Sequence, residues 1–190
     1  MDRALIVSSG EKATAAFMSL IRDAFPECAM SVCSTGNESR RAIAENSYDA
    51  IVINCPLTDE FGNELAEHIT SSTNSGCIMI VKAENCDQIS ERMEDYGVIV
   101  VGKPISRSAF YQSLKFINAT RKRMLGLQNE NIELHKRLEE MRMINRAKFA
   151  LMQYLSFTET QAHRYLEKQA MDRRCTKLEI AMEVIKTYEP

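Results

Sequence analysis

The chain has 190 residues, 24 of them Lys or Arg and 26 Asp or Glu, for a formal charge of −2. It is 45% hydrophobic and 26% charged, with seven Gly, four Pro and no Trp. These values exclude a wholly disordered or collagen-like chain and allow one large domain, or a medium and a small one. The overall charge hides a split. Residues 1–118 hold 10 basic and 16 acidic side chains, net −6, and residues 119–190 hold 14 and 10, net +4. Such asymmetry points to polyanion binding by the basic segment.

Short apolar runs open the chain: Ala4–Val7, Ala29–Cys33, Ala50–Ile53, Cys77–Val81 and Val98–Val101. Several are apolar on both faces, as parallel strands covered by helices on both sides must be. Helix patterns lie between them, at Glu11–Phe25, Glu38–Glu45, Phe61–Ser71 and Asp87–Tyr96. Thr35 and Glu38 have capping-box spacing. Five strands alternating with helices predict a doubly wound, flavodoxin-like α/β domain with a five-stranded parallel sheet. Its ligands are expected at the carboxyl ends of the strands.

Helical residues then run from the N-cap candidate Ser106 to about residue 155 with no Pro. Met124, Leu127, Asn131, Leu134, Leu138 and Met141 fall at alternate a and d heptad positions, with Asn131 as a polar a residue. That pattern predicts a coiled-coil homodimer; the alternative is a helix packed against its own C-terminal domain. Two further helices start at capping boxes, Thr158 with Gln161 (Phe157 standing as the staple) and Thr176 with Glu179. The domains are therefore expected at 1–118, 119–142 (coiled coil) and 143–190 (three helices).

Two segments carry family resemblances. The run from Asp49 through Asn54-Cys55-Pro56 to Gly62, and Val98 through Gly102-Lys103-Pro104-Ile105, resemble the third and fifth strands of response-regulator receiver domains. The resemblance implies a phosphoaccepting carboxylate ending the third strand and an acidic magnesium-binding pair after the first. A hydroxyl residue and a lysine complete that site. Here Asn54 stands for the acceptor, Ser8 and Ser9 for the acidic pair and Lys82 for the hydroxyl residue, and only Lys103 matches. A carboxamide cannot form the acyl phosphate, and without carboxylates little holds a hard cation. The segment reads as a pseudo-receiver. Asp49 and Asp59 are the acceptors if the alignment slips, but Asp49 precedes the strand and Asp59 lies on the loop. Lys103 has two readings: packing and a turn with Pro104, or an anion contact shared with Lys82.

The segment Ile144-Asn145-Arg146-Ala147-Lys148, with Leu151-Met152, Ser156–Glu159, Ala162, Tyr165-Leu166, Ala170-Met171 and Glu179-Ile180-Ala181, resembles the ANTAR module. The resemblance implies a three-helix RNA-binding domain of bacterial transcription antiterminators, sited after a receiver-like domain and a coiled coil. The position of Phe149 is often small in that family. Arg146, Lys148, Arg164, Lys168, Arg173, Arg174 and Lys177 supply basic charge for phosphates. Tyr165 and Tyr154 are candidates for base stacking, with His163 a weaker one, though a Tyr on an amphipathic helix also suits the core. Ala147 admits close approach, of a helix or of RNA.

The expected function is an RNA-binding antitermination regulator, dimeric, acting on paired stem-loops of a leader RNA. The alternative is a protein-interaction regulator, whose pseudo-receiver docks a sensor and whose C-terminal helices only dimerise. No nucleophile–base constellation points to an enzyme, and no recognition helix points to DNA. Six cysteines without C-x-x-C spacing, and three unclustered histidines, leave no metal or cofactor expected. The first apolar run is too short for a signal-peptide core and nothing approaches a membrane span, so a cytoplasmic location is expected.

Overall fold

A computed structural model describes residues 1–188. It divides into two compact units, Met1–Leu125 and the chain from Gly126 onward.

The first unit holds five parallel strands: β1 (Arg3–Val7), β2 (Ala29–Cys33), β3 (Ala50–Asn54), β4 (Gly76–Lys82) and β5 (Ile99–Lys103). Their order is β2-β1-β3-β4-β5, the flavodoxin-like order. Helices α1 (Glu11–Ala24), α2 (Gly36–Glu45), α3 (Asn63–Ser72), α4 (Cys86–Met93) and the start of α5 (Arg107–Leu155) connect or follow them. Period-two alternation sorts the strand side chains onto two faces. Leu5, Val7, Ile51, Ile53, Met79 and Val81 pack with Ile43, Leu65, Ile69, Ile89 and Met93 of α2, α3 and α4. Ala4, Ile6, Val52, Ile78 and Ile80 pack with Phe17 and Ile21 of α1 and Phe110, Leu114 and Ile117 of α5. Burying each large apolar side chain is worth about 1.5–3 kcal/mol, so the two faces together hold the sheet between its helices.

The strand spans match expectation within two residues at each end, and the helices less closely: α4 stops at Met93 rather than Tyr96. The central strands are buried on both faces, whereas β2 is an edge strand with Val32 exposed. At Gly76 the approach of α5 is so close that a Cβ would lie 2.1 Å from Ile117 Cγ2. The first unit also reaches past residue 118. Asp49 accepts from the N–H groups of Asp2 and Arg3 and pairs with Arg121 Nη1 of α5 at 2.7 Å.

The second unit comprises the later part of α5, α6 (Glu159–Arg173) and α7 (Lys177–Tyr188). Its core combines Ala147, Ala150, Leu151, Ala162, Leu166, Ala170, Ile180, Ala181, Val184 and Ile185. The five alanines let three helices approach closely with few large side chains. Both predicted capping boxes form. Thr158 Oγ1 accepts from Gln161 N while Gln161 Oε1 accepts from Thr158 N at 2.8 Å, and Thr176 and Glu179 make the same exchange. Between α6 and α7, Arg174 adopts the left-handed conformation (φ 53°), and Cys175 N–H returns to Ala170 O at 3.0 Å, a helix end of Schellman type. Among the described residues no helix is long and apolar enough to cross a membrane.

Candidate functional site

The first candidate site lies at the carboxyl ends of β1, β3 and β5. Asn54 ends β3, and its Nδ2 donates to Ser8 Oγ at 3.0 Å. Ser8 follows β1 and is buried, while Ser9 is exposed. The Asn54 carboxamide oxygen is buried and has no partner. Lys103 ends β5, and its Nζ donates to the Cys55 carbonyl at 2.8 Å. Partial burial, helped by the nearby charge of Lys82, lowers the Lys103 pKa. Burial pushes the neighbouring Cys55 thiol up to about 12.

Lys82 is the register partner of Lys103, but its side chain is engaged elsewhere. The Lys82 side chain is 67% exposed and pairs with Glu84 at 3.6 Å. Lys103 instead holds the loop that follows β3, which favours its structural reading.

Asp59 and Asp49 also have structural work. Asp59 accepts from Gly36 N at 2.9 Å and Asn37 N at 3.1 Å. It therefore caps α2 from a loop more than twenty residues away in sequence. These two N–H donors hold its pKa below the usual carboxylate range. Beside it, Arg40 and Glu60 form a two-pronged pair at 2.7 and 2.9 Å. Gly36 makes room, because a Cβ there would collide with the Glu60 carboxylate. Asp49 sits before β3, at the opposite end of the sheet. Burial alone would raise its pKa, but the N–H groups of Asp2 and Arg3 and the charge of Arg121 outweigh it, and the net shift is downward.

A receiver site would hold a magnesium ion on carboxylate oxygens. Ser8, Ser9 and Asn54 offer only neutral oxygens, and the Asn54 amide is turned to donate to Ser8. These residues do not fit a hard divalent cation. Among the described residues no group of three or more His, Cys, Asp or Glu is placed to hold a metal.

The second candidate site is the basic surface of the C-terminal unit. Arg164 and Lys168 are exposed on α6, one turn apart on one face, and no ion-pair or hydrogen-bond partner faces them among the described residues. Met171, the next residue along that face, is 78% exposed. Arg174 is exposed at the α6–α7 turn. Other expected RNA contacts are already engaged. Lys148 pairs with Glu159 at 3.1 Å and is only 15% exposed. Arg173 pairs with Glu183, and Lys177 with Glu167, each at 2.6 Å. Arg146 is exposed on α5.

For two residues whose roles the sequence left open, the packing favours the core. Ala147 is fully buried in the three-helix core, so its small side chain admits helices rather than RNA. Tyr165 is half-buried and meets Phe157 edge-on, with ring centroids 5.9 Å apart, so it closes the core beneath the cap of α6. Phe149 and Tyr154 are the exposed aromatics of α5 in this unit, at 67% and 53%.

The third feature is the heptad stripe. Met124, Leu127, Leu134, Leu138 and Met141 are each 50–60% exposed, so they form an exposed apolar stripe along α5.

Solved structures share the fold of the N-terminal unit. The signal receiver domain of an HD domain-containing protein from Pseudomonas fluorescens superposes with a TM-score of 0.59 at 13% identity, over 66% of this chain and 92% of that one. A response regulator receiver domain protein from Clostridium thermocellum gives 0.58 at 16%, over 66% and 99%. The fold of this unit is thus that of a receiver domain. Residues 133–185 match the ANTAR domain. The transcriptional regulatory protein PdtaR of Mycobacterium tuberculosis is 25% identical over 153 residues, 80% of this chain and 74% of that protein. The aliphatic amidase regulator of Pseudomonas aeruginosa is 27% identical over 146 residues, 73% of each. The chain therefore carries an ANTAR domain match at residues 133–185 behind a receiver-like fold, and over most of its length it is similar to these two regulators.

Proposed function

We propose that this protein is a bacterial RNA-binding transcription antitermination regulator. It acts as a homodimer, presents two ANTAR domains to paired stem-loops of a leader RNA, and carries a receiver-like domain that does not accept a phosphoryl group. The observation that carries the RNA reading is the unpaired basic face of α6, Arg164 and Lys168, on a segment that matches the ANTAR domain. Free cations on a helical face bind phosphates and release counterions. Residues tied in ion pairs, such as Arg173 and Lys177, must first exchange partners. Held in the bound form, paired stem-loops cannot refold into a competing terminator hairpin.

The dimer reading is supported by the exposed a/d stripe of α5 and its polar Asn131. The inert receiver reading is supported by Asn54, whose carboxamide is a poor nucleophile already engaged with Ser8.

Filter binding of the full chain to a two-hairpin leader RNA, over graded salt, tests the proposal. Affinity should fall steeply as salt rises, by roughly 0.7–0.9 in log–log slope for each phosphate contacted. A chain that dimerises but binds no RNA at low salt would instead be a protein-interaction regulator.

A further inference from the structure

One oxygen atom on the surface of the C-terminal unit collects donors from two helices. Glu167 Oε1, on α6, accepts from His163 Nε2, one turn back along the same helix, at 3.2 Å. It also accepts from Lys177 Nζ, the first residue of α7, at 2.6 Å. The other carboxylates that hold expected RNA contacts take one base each: Glu159 holds Lys148, and Glu183 holds Arg173. The three side chains of the Glu167 cluster stay 41–49% exposed, so a ligand in solution reaches them without opening either helix. Lys177 first, and His163 after it, hold the Glu167 carboxyl below its usual range. An anion-selective site acts in this way on the anion already in it.

We infer that His163 and Lys177 form a phosphodiester site, and that the Glu167 carboxylate occupies it until an RNA phosphate takes its place. The inference rests on the RNA reading of the proposed function and deepens it, by assigning one backbone contact and the group that competes for it.

Three features select a phosphate. The first is donor chemistry. A phosphate oxygen accepts from N–H groups as a carboxylate oxygen does, and the Nε2–H of His163 donates even when the ring is neutral. His163 then serves as a donor to the RNA backbone rather than as a stacking ring. The second is position. Arg164 follows His163 and Lys168 follows Glu167, and successive helical residues point about 100° apart. The cluster therefore borders the exposed Arg164–Lys168 line, and a backbone held on that line passes beside it. The third is strength. Exposed ion pairs hold weakly, so a phosphate already anchored by neighbouring cations displaces the carboxylate. Glu167 is thus a competitor for the two donors rather than a strut between the helices.

The test uses the full chain and filter binding to a two-hairpin leader RNA at fixed low salt. Glu167→Gln is compared with Asp172→Asn, which removes the same charge from an exposed position on the same helix. Glu167→Gln should bind about fivefold tighter than the parent, and Asp172→Asn less than about twofold tighter. In a Lys177→Ala background the gain from Glu167→Gln should shrink to that of Asp172→Asn, because the donor it unmasks is gone. Lys177→Ala alone should lower the magnitude of the salt slope by roughly 0.7–0.9, one phosphate contact. That reading needs no change at Glu167, and a lysine serving only as a strut would leave it unmoved. Equal gains from Glu167→Gln and Asp172→Asn overturn the inference, as does a gain that survives Lys177→Ala intact. A Glu167→Gln chain that keeps its helix content and binds like the parent overturns it too. Absence of RNA binding by every variant removes the RNA reading and this site with it, a result distinct from RNA binding to which Glu167 is silent.

Discussion

Asn54 and Ser8 are joined by one hydrogen bond, amide nitrogen to hydroxyl oxygen at 3.0 Å, across the tips of two adjacent central strands. The bond closes the position where a receiver would present a carboxylate, and it turns the amide donor toward the place where cation-binding oxygens would be needed. Incubation with acetyl phosphate and magnesium should therefore leave the intact mass of the protein unchanged. A gain of one phosphoryl group that disappears in Asp59→Asn would locate an acceptor on the loop and overturn the inert reading.

Asp59 should matter to stability instead. Its folded pKa is depressed by the N–H groups of Gly36 and Asn37, so its contribution is present above the unfolded value of about 3.9 and is lost as pH falls through the folded value. Asp59→Ala should melt at a lower temperature than the parent at pH 7. The gap should close progressively below about pH 4, as followed by circular dichroism. A gap independent of pH would show that the carboxylate charge is not what caps α2.

Removing Arg121 should expose the cost of the charge it covers. Asp49 is largely buried, and in Arg121→Ala it keeps only the N–H groups of Asp2 and Arg3. Urea unfolding should show a loss of about 1–3 kcal/mol. Adding Asp49→Ala should cost less than the sum of the single changes, since the two residues share one interaction.

The alanine-rich core of the C-terminal unit has no room to spare. Ala147→Leu should destabilise that unit by about 1–3 kcal/mol through overpacking, read as a lower melting temperature of its helical signal. An unchanged melt would mean that Ala147 is not enclosed by the three helices.

On the RNA side, Arg164→Ala with Lys168→Ala should weaken leader-RNA binding and reduce the salt slope by about 1–2 in total. Arg173→Ala, which breaks a pair with Glu183, should change the slope less. Equal losses would mean that the Arg173 pair opens on binding.

Much of this arrangement was legible in the sequence. The apolar runs that became β1, β3 and β4 were readable because strands buried on both faces need unbroken Val, Ile and Leu. The capping boxes at Thr158 and Thr176 were readable because both partners lie within three residues. At Thr35 the expected box reached one residue further, with Glu38 accepting from Ser34 N at 2.7 Å. What escaped were choices made by tertiary contacts. Nothing in the spacing links Asp59 to the start of α2, or Asp49 to Arg121. The pairing of Lys82 with Glu84 competes with its reach toward the strand tips, and sequence cannot rank the two. For Ala147 and Tyr165 the sequence left core and surface roles open, and only the packing of α6 and α7 decided between them. The apolar character of Phe149 hid its exposure, because a lone Phe on an amphipathic helix usually points inward.

Helix α5 supplies the last helix of the receiver-like fold and the first helix of the ANTAR core without interruption. The ANTAR core consequently has no N-terminal edge of its own. A fragment cut at its sequence boundary would begin in mid-helix, with about four backbone N–H groups newly stripped of their partners. Fraying of that new end would reach the turns that carry Arg146 and Ala147. Excised pieces should thus understate the order of this domain, and the shortest faithful fragment begins well upstream of the residues that define the family.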